Sequence, residues 1–457
     1  MVSETSSPAT EHQLGTSLKQ RHVTMISIAG VIGAGLFVGS ATAIEKAGPA
    51  VLISYLLAGT LVVLTMRMLG EMATANPDTG SFSVYSDRAL GRWAGFSVGW
   101  LYWWFWVLVI PVEATAAAAI LTDLLGGAQW IWALAVTVLL TGTNLASVGN
   151  YGEFEFWFAL VKVVAIVAFI AVGVLAILGL IPTSEVSGVR HLWEPDGFMP
   201  GGFGAVISAM LVTMFSFMGT EIVTIAAAES SDPQRGISKA VNSVIWRISL
   251  FYLGSIFVVV ALMPYDQLAD GSYQSVLEAI GVPGTALIMD IVILTAVASC
   301  LNSALYTASR MLFSLADRGD APKVVRKVSE RGVPWVAILA SMVVGFLAVI
   351  GNYVLPDKLF GYLLATSGAV ALFVYLAIAV SQLVLGRRMR TAREAGGAVK
   401  MWLFPHLTVV VIVFIVAVLG LMAFDAAQQQ AIGFSVVLAA AIVGVGVWLQ
   451  SRRGTSV

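Results

Sequence analysis

Lys162 stands inside the apolar stretch 154–180, too deep for its ammonium to reach water comfortably at the cytoplasmic end. An ionisable group held in hydrocarbon is costly and is a functional candidate by default. A desolvated lysine can also release and regain a proton during a working cycle. The competing reading is a structural cation bonded to a backbone carbonyl. Glu155 shares the helical face of Lys162 but lies about 10 Å away along the axis, so it is not expected to pair with it. Glu221 follows Phe215-Ser216-Phe217-Met218-Gly219-Thr220, where it either gates a site or accepts from freed backbone N–H groups. Glu113 lies beside a proline in Ile110-Pro111-Val112-Glu113-Ala114, where a structural role competes equally. This set handles protons and charge. It contains no nucleophile–base arrangement, and the chain has no P-loop, so no enzymatic activity is expected. The single Cys300 leaves no intrachain disulfide, and the scattered His12, His22, His191 and His406 suggest no metal site and no cofactor.

The groups that would meet a ligand are backbone groups. Ile26-Ser27-Ile28-Ala29-Gly30-Val31-Ile32-Gly33-Ala34-Gly35-Leu36-Phe37-Val38-Gly39 places four glycines in the first apolar segment, and glycine lets a helix come undone. In hydrocarbon a freed N–H or C=O costs several kcal/mol unless something satisfies it. The stretch 215–221 repeats the anomaly in the sixth segment. Where the first segment resumes, N–H groups near Ala34, Gly35 and Leu36 favour a carboxylate. Where the sixth stops, carbonyls near Phe215–Met218 accept from an ammonium. A small zwitterion matches both ends. Close helix packing through small residues is the competing explanation of each glycine cluster. Ser299, Cys300, Asn302 and Ser303 of the eighth segment face the first break if the segments repeat, although such residues also bond helix to helix. The aromatic run Trp100 to Trp106 reads as packing or interface belt, with one ring free to wall the site.

The elements that position these residues are membrane spans. The chain has 457 residues, 58% hydrophobic and 11% charged, against about 25% charged in a soluble domain. Apolar windows recur at 23–44, 50–73, 94–121, 130–146, 154–180, 203–228, 241–263, 285–315, 333–350, 359–385, 401–422 and 431–449, which predicts twelve spans. Lys and Arg gather in the tail 1–22, after the second, sixth, eighth and tenth spans, and at the end, whereas the other side holds only Lys46, Arg190 and Lys358. That bias puts both termini in the cytoplasm. Ser40-Ala41-Thr42-Ala43 outlines a leader cleavage site, but the first span is expected to be retained. Two interrupted segments, five spans apart and entering from opposite sides, point to an inverted repeat of five plus five helices. The expected organisation is a tail 1–22, a transport core 23–385, a basic cytoplasmic loop 386–400, accessory spans in 401–449 and a tail 450–457. The polar segment 229–240 reads as a cytoplasmic turn and helix start.

Six stretches carry a resemblance: GVIGAGLFVGS (30–40), GWLYWWFWVLVIPVEA (99–114), GEFEFWFALVKVVAI (152–166), GFGAVISAMLVTMFSFMGTEIVTIAAAES (202–230), NSVIWRISLFYLGSIFVVVAL (242–262) and SCLNSALYTASRMLFSLADRGDAP (299–322). The chain resembles the amino acid–polyamine–organocation superfamily in its amino acid transporter branch, and the longer strings resemble bacterial 4-aminobutyrate (GABA) permeases. The similarity runs from residue 18 to near residue 425. It implies an all-α membrane protein of twelve helices, leucine-transporter-like, with helices one and six broken. It also implies import of GABA across the cytoplasmic membrane by proton symport and alternating access. A permease for proline, an aromatic or another neutral amino acid is the alternative, and a sensor or channel of the same fold is the more distant one. By resemblance the substrate contacts fall on Ile32, Gly33, Ala34, Gly35, Leu36, Phe215, Phe217, Met218, Gly219 and Glu221, with Cys300 facing them from span eight. Lys162 matches the family's proton-coupling lysine, its ammonium standing where sodium sits in sodium-coupled relatives. Thr220 replaces the alanine expected of the GABA permeases. The partners implied are the amino acid, a proton and the lipid bilayer, with no nucleic acid and no required oligomer.

Overall fold

The computed structural model describes residues 25, 32–78, 80–146, 149–222, 224, 232–268, 272–281, 283–391, 399–424 and 429–454. The predicted tail 1–22, the first half of span one up to residue 31, the polar residues 229–231, and parts of the basic loop and final tail lie outside them. Every described apolar window is helical, because a backbone in lipid must satisfy its own polar groups. In chain order the helices are α1 (Ala34–Phe37), α2 (Gly39–Ala47), α3 (Val51–Ala75), α4 (Ser81–Leu90), α5 (Arg92–Leu125), α6 (Gln129–Ala146), α7 (Gly149–Ile177) and α8 (Gly202–Phe217). Then come α9 (Pro233–Arg247), α10 (Ser255–Leu262), α11 (Ser272–Ala279), α12 (Thr285–Asp317), α13 (Trp335–Val354), α14 (Pro356–Thr391), α15 (His406–Phe424) and α16 (Gln429–Gly454).

Among the described residues ten helical stretches are long and apolar enough to cross a membrane. The first, Ala34–Ala75, joins the first two predicted windows, and the sixth window is only the shorter α8. Two helices were not anticipated. α4 follows span two, where sequence reading saw a basic link, and α11 lies between the predicted windows 241–263 and 285–315. Span seven also departs from regularity: α9 and α10 are joined by a π-helical segment, Ile248–Gly254. The polar turn before α9 begins its helix as expected, with Asp232 capping through a bond from Arg235 N–H at 3.2 Å.

Contacts sort the helices into two sets. α1 and α2 pack on α8, and α3 packs on both α8 and α9. α5, buried along most of its length, packs on α6, α12, α13, α14 and α16. α7 turns Phe154, Trp157 and Val164 outward and keeps Glu155 and Lys162 fully buried. α15 is tied in by polar contacts: Thr408 donates to Gln382 of α14 at 2.9 Å, Gln382 donates to Glu71 of α3, and Arg390 pairs with Glu71 at 2.8 Å.

A tight seam between helices lies where Gly368 of α14 meets the Leu211 carbonyl of α8, leaving no room for a Cβ. Gly368→Ala is therefore expected to cost roughly 1–3 kcal/mol by overpacking. Gly361→Ala, with open space around it, should be neutral. Thermal midpoints in detergent, read by size exclusion, would discriminate. Equal midpoints for the two variants would show that the seam yields.

Candidate functional site

α1 starts at Ala34 after an extended Gly33 (φ −145°, ψ −148°). The Leu36 and Phe37 N–H groups donate back to the Gly33 carbonyl at 3.2 and 3.3 Å. The Ala34 N–H instead donates to the Glu113 carboxylate, 3.0 Å from Oε2 and 3.3 Å from Oε1. Sequence reading reserved this amide for a ligand. The chain supplies its own carboxylate here, because a buried carboxylate needs donors and α5 carries Glu113 to this level. A Cβ on Gly33 would come within 2.7 Å of both Cys300 Cβ and Glu113 Oε1, so only glycine admits the approach.

At the second break α8 stops at Phe217, Met218 turns extended (φ −63°, ψ 143°) and Gly219 takes φ +100°, a region costly for any residue with a Cβ. The carbonyl of Phe215 accepts from Met218 N–H at 3.2 Å. That of Phe217 accepts from Thr220, N–H at 3.4 Å and Oγ1 at 3.1 Å. Both oxygens of Glu221 accept from Gly219 N–H at 3.0 Å. Of the two readings of Glu221, the bond to freed backbone is the one seen. Phe217 packs between Tyr55 and Tyr252, with centroids at 5.9 and 4.5 Å. The breaks meet directly: Gly35 lies so close to α8 that a Cβ would stand 2.9 Å from Ser216 Cα.

Lys162 donates to the carbonyl of Ile32 at 3.0 Å. Glu155 Oε1 lies 3.9 Å from Lys162 Nζ and accepts from Ser299 Oγ at 2.7 Å. This corrects the expectation that Glu155 is too far to pair. The helical rise between their Cα atoms is as expected, but two long, extended side chains close it. On either side of Gly33, therefore, Lys162 answers the Ile32 carbonyl and Glu113 answers the Ala34 amide. Asn302, by contrast, accepts from Asn144 of α6 at 2.6 Å and ties helix to helix.

Where the breaks meet there is a cavity of about 10 Å³, room for at most one water. Gly35, Phe215, Met218 and Cys300 of the predicted set line it; Ile32, Gly33, Ala34, Leu36, Phe217, Gly219 and Glu221 are buried around it without lining it. Lys162 also stands outside the lining. Phe105, Trp106, Val109, Glu113 and Ser216 complete the wall. One ring of the aromatic run was expected to wall the site, and Ser216 lies among the carbonyls expected at the second break, whereas Val109 and Glu113 were not expected as contacts. The indole N–H of Trp106 has no acceptor there. A signal for this wall exists. Counting back from Glu113 at helical spacing gives Val109, Trp106 and Phe105 as one face of α5.

The amino acid permease family model matches residues 22–456. The gamma-aminobutyric acid permease of Escherichia coli is 60% identical over 439 residues, covering 94% of this chain and 93% of that protein. A probable GABA permease of Pseudomonas aeruginosa is also 60% identical, over 448 residues, covering 96% of this chain and 93% of that protein. In structure, a variant of the manganese transporter of Eremococcus coleocola matches with a TM-score of 0.60 at 14% identity, covering 95% and 94% of the two chains. That likeness establishes a shared fold.

Proposed function

The chain belongs to the amino acid permease family, and from that premise we propose that it imports 4-aminobutyrate by proton symport across the cytoplasmic membrane. Two relatives at 60% identity named for this substrate support the choice. The architecture we assign is twelve spans with both termini cytoplasmic, ten of them forming an inverted repeat around two broken helices. The observation that carries the mechanism is the pair of helix ends meeting at Gly35 and Ser216 over a nearly closed cavity.

An amino acid brings opposite charges to two ends of one short molecule. Its carboxylate takes the Ala34 N–H that Glu113 now holds. Two carboxylates cannot share one amide, so Glu113 must turn away or take up a proton as the substrate enters. The ammonium is met by carbonyls at the end of α8, which have lone pairs beyond those used within the turn. Because the cavity holds at most one water, binding requires the set around α1, α2, α3, α8 and α9 to move against the set around α5 and α12. Such movement is alternating access about a fixed central site. Lys162 bridges that movement: it sits on α7 yet holds the backbone at Ile32, so losing its proton would loosen the first break.

Reconstituted protein should accumulate labelled GABA against a gradient when a pH difference is imposed. A protonophore should collapse the accumulation, and replacing sodium should leave it unchanged. Failure of GABA to compete with a transported amino acid would remove the substrate assignment, whereas sodium dependence would remove the proton.

A further inference from the structure

Arg247 closes α9, the first half of span seven, and only 3% of it is exposed. Its Nε and Nη2 have no hydrogen-bond partner. A buried guanidinium left unpaired is costly, and in a membrane span it marks a site whose counter-ion comes from elsewhere. The backbone groups at the two breaks, by contrast, have answers within the chain. Glu113 holds Ala34, Lys162 holds Ile32, and Glu221 holds Gly219.

The local fold explains where the charge is aimed. The π-helical segment Ile248–Gly254 begins directly after Arg247. A π segment inserts one extra residue per wide turn, so residues five apart, Arg247 and Tyr252, come onto one face instead of diverging. Tyr252 in turn stacks on Phe217, the last residue of α8, at 4.5 Å between centroids. Ile248 fills the space over Gly59 of α3, which locks the wide turn against the same helix set. Arg247 therefore lies about one turn from Tyr252 and, through that ring, next to Phe217 at the end of α8. With the proposed orientation, in which α9 starts in the cytoplasm, that is the inner side.

We propose that Arg247 is a second, transient anion site, which takes the carboxylate end of the amino acid as it leaves the central cavity for the cytoplasm. This rests on the transport reading above. On the way in, the carboxylate is held at Ala34. When the inner side opens and Tyr252 and Phe217 part, the carboxylate meets the unpaired guanidinium of Arg247. The release step then exchanges one charge-assisted bond for another and avoids carrying a bare carboxylate through apolar surroundings.

The test separates the two faces of the membrane. GABA transport is measured in right-side-out and in everted vesicles, for the unchanged protein, Arg247→Gln and Arg247→Lys. For Arg247→Gln the KM at the outer face should stay within about twofold, and the KM at the cytoplasmic face should rise about tenfold or more, the worth of a hydrogen bond to a charged group. Arg247→Lys, which keeps the charge, should fall between. n-Butylamine, which lacks the carboxylate, serves as the second probe. From the cytoplasmic face the unchanged protein should prefer GABA over it, and Arg247→Gln should narrow that preference about tenfold or more. Equal KM changes at both faces, or an unchanged preference over butylamine, would overturn the proposal and leave a structural arginine. If Arg247→Gln does not reach the membrane, the Arg247→Lys profile decides alone, since a purely structural cation predicts no asymmetry between faces. Outer-face uptake by the unchanged protein reports separately on whether GABA is the substrate.

Discussion

Lys162→Met is expected to lower concentrative uptake by about a hundredfold or more while the protein still exchanges labelled for unlabelled substrate. The expectation follows from what Lys162 touches: the Ile32 carbonyl at 3.0 Å and Glu155 at 3.9 Å, all of it away from water. Removing the ammonium leaves Glu155 as an uncompensated buried charge, which costs about 3–5 kcal/mol when one partner of a buried pair is lost. That penalty would confuse coupling with folding. The double variant Lys162→Met/Glu155→Gln removes it, because a neutral amide still accepts from Ser299. The double variant should recover folded yield and exchange but not gradient-driven uptake. Recovery of accumulation against a gradient in the double variant would show that the pair is structural and that protons enter elsewhere.

Gly35→Ala is the second large effect. An added Cβ would stand 2.8 Å from Phe215 Cδ1 and 2.9 Å from Ser216 Cα. The phenyl ring can shift, but Ser216 Cα is main chain at the end of α8 and moves only if the helix moves. Overpacking of this kind costs about 1–3 kcal/mol, and here it falls on the contact that must close over a ligand. Uptake should drop about a hundredfold with little change in folded yield. Gly39→Ala is the control, because its Cβ would meet the side-chain tips of Leu364 and Val212 at 3.4 Å and the Ala34 carbonyl at 3.6 Å, all ordinary contact distances. Its uptake should stay within about twofold. Equal damage from the two substitutions would mean that general packing of the first helix matters and that the meeting of the breaks does not.

The two variants also mark how legible the protein is before folding. The helical windows, their alternation with basic links and the two glycine interruptions depend on composition along the chain. Each is set by the solvent a segment must occupy, and that preference is written locally. Glu113, Glu155, Lys162 and Glu221 were visible as charges out of place for the same reason. Family membership, too, follows from strings of residues.

What each charge does was not legible. The distance from Glu155 to Lys162 depends on side-chain reach and on Ser299 arriving from α12, not on their separation along α7. The Ala34 amide looked free because its acceptor, Glu113, is 79 residues away on another helix. The wide turn after Arg247 had no local signal either, since Ile248-Ser249-Leu250-Phe251-Tyr252 suits an α-helix equally well. Sequence alone determined which segments are apolar enough to enter the membrane, where two of them carry glycine interruptions and which charges are carried in with them. The tertiary structure decided which charge answers which broken end, because hydrogen bonds act within about 3 Å and only packing brings residues a hundred positions apart to that distance.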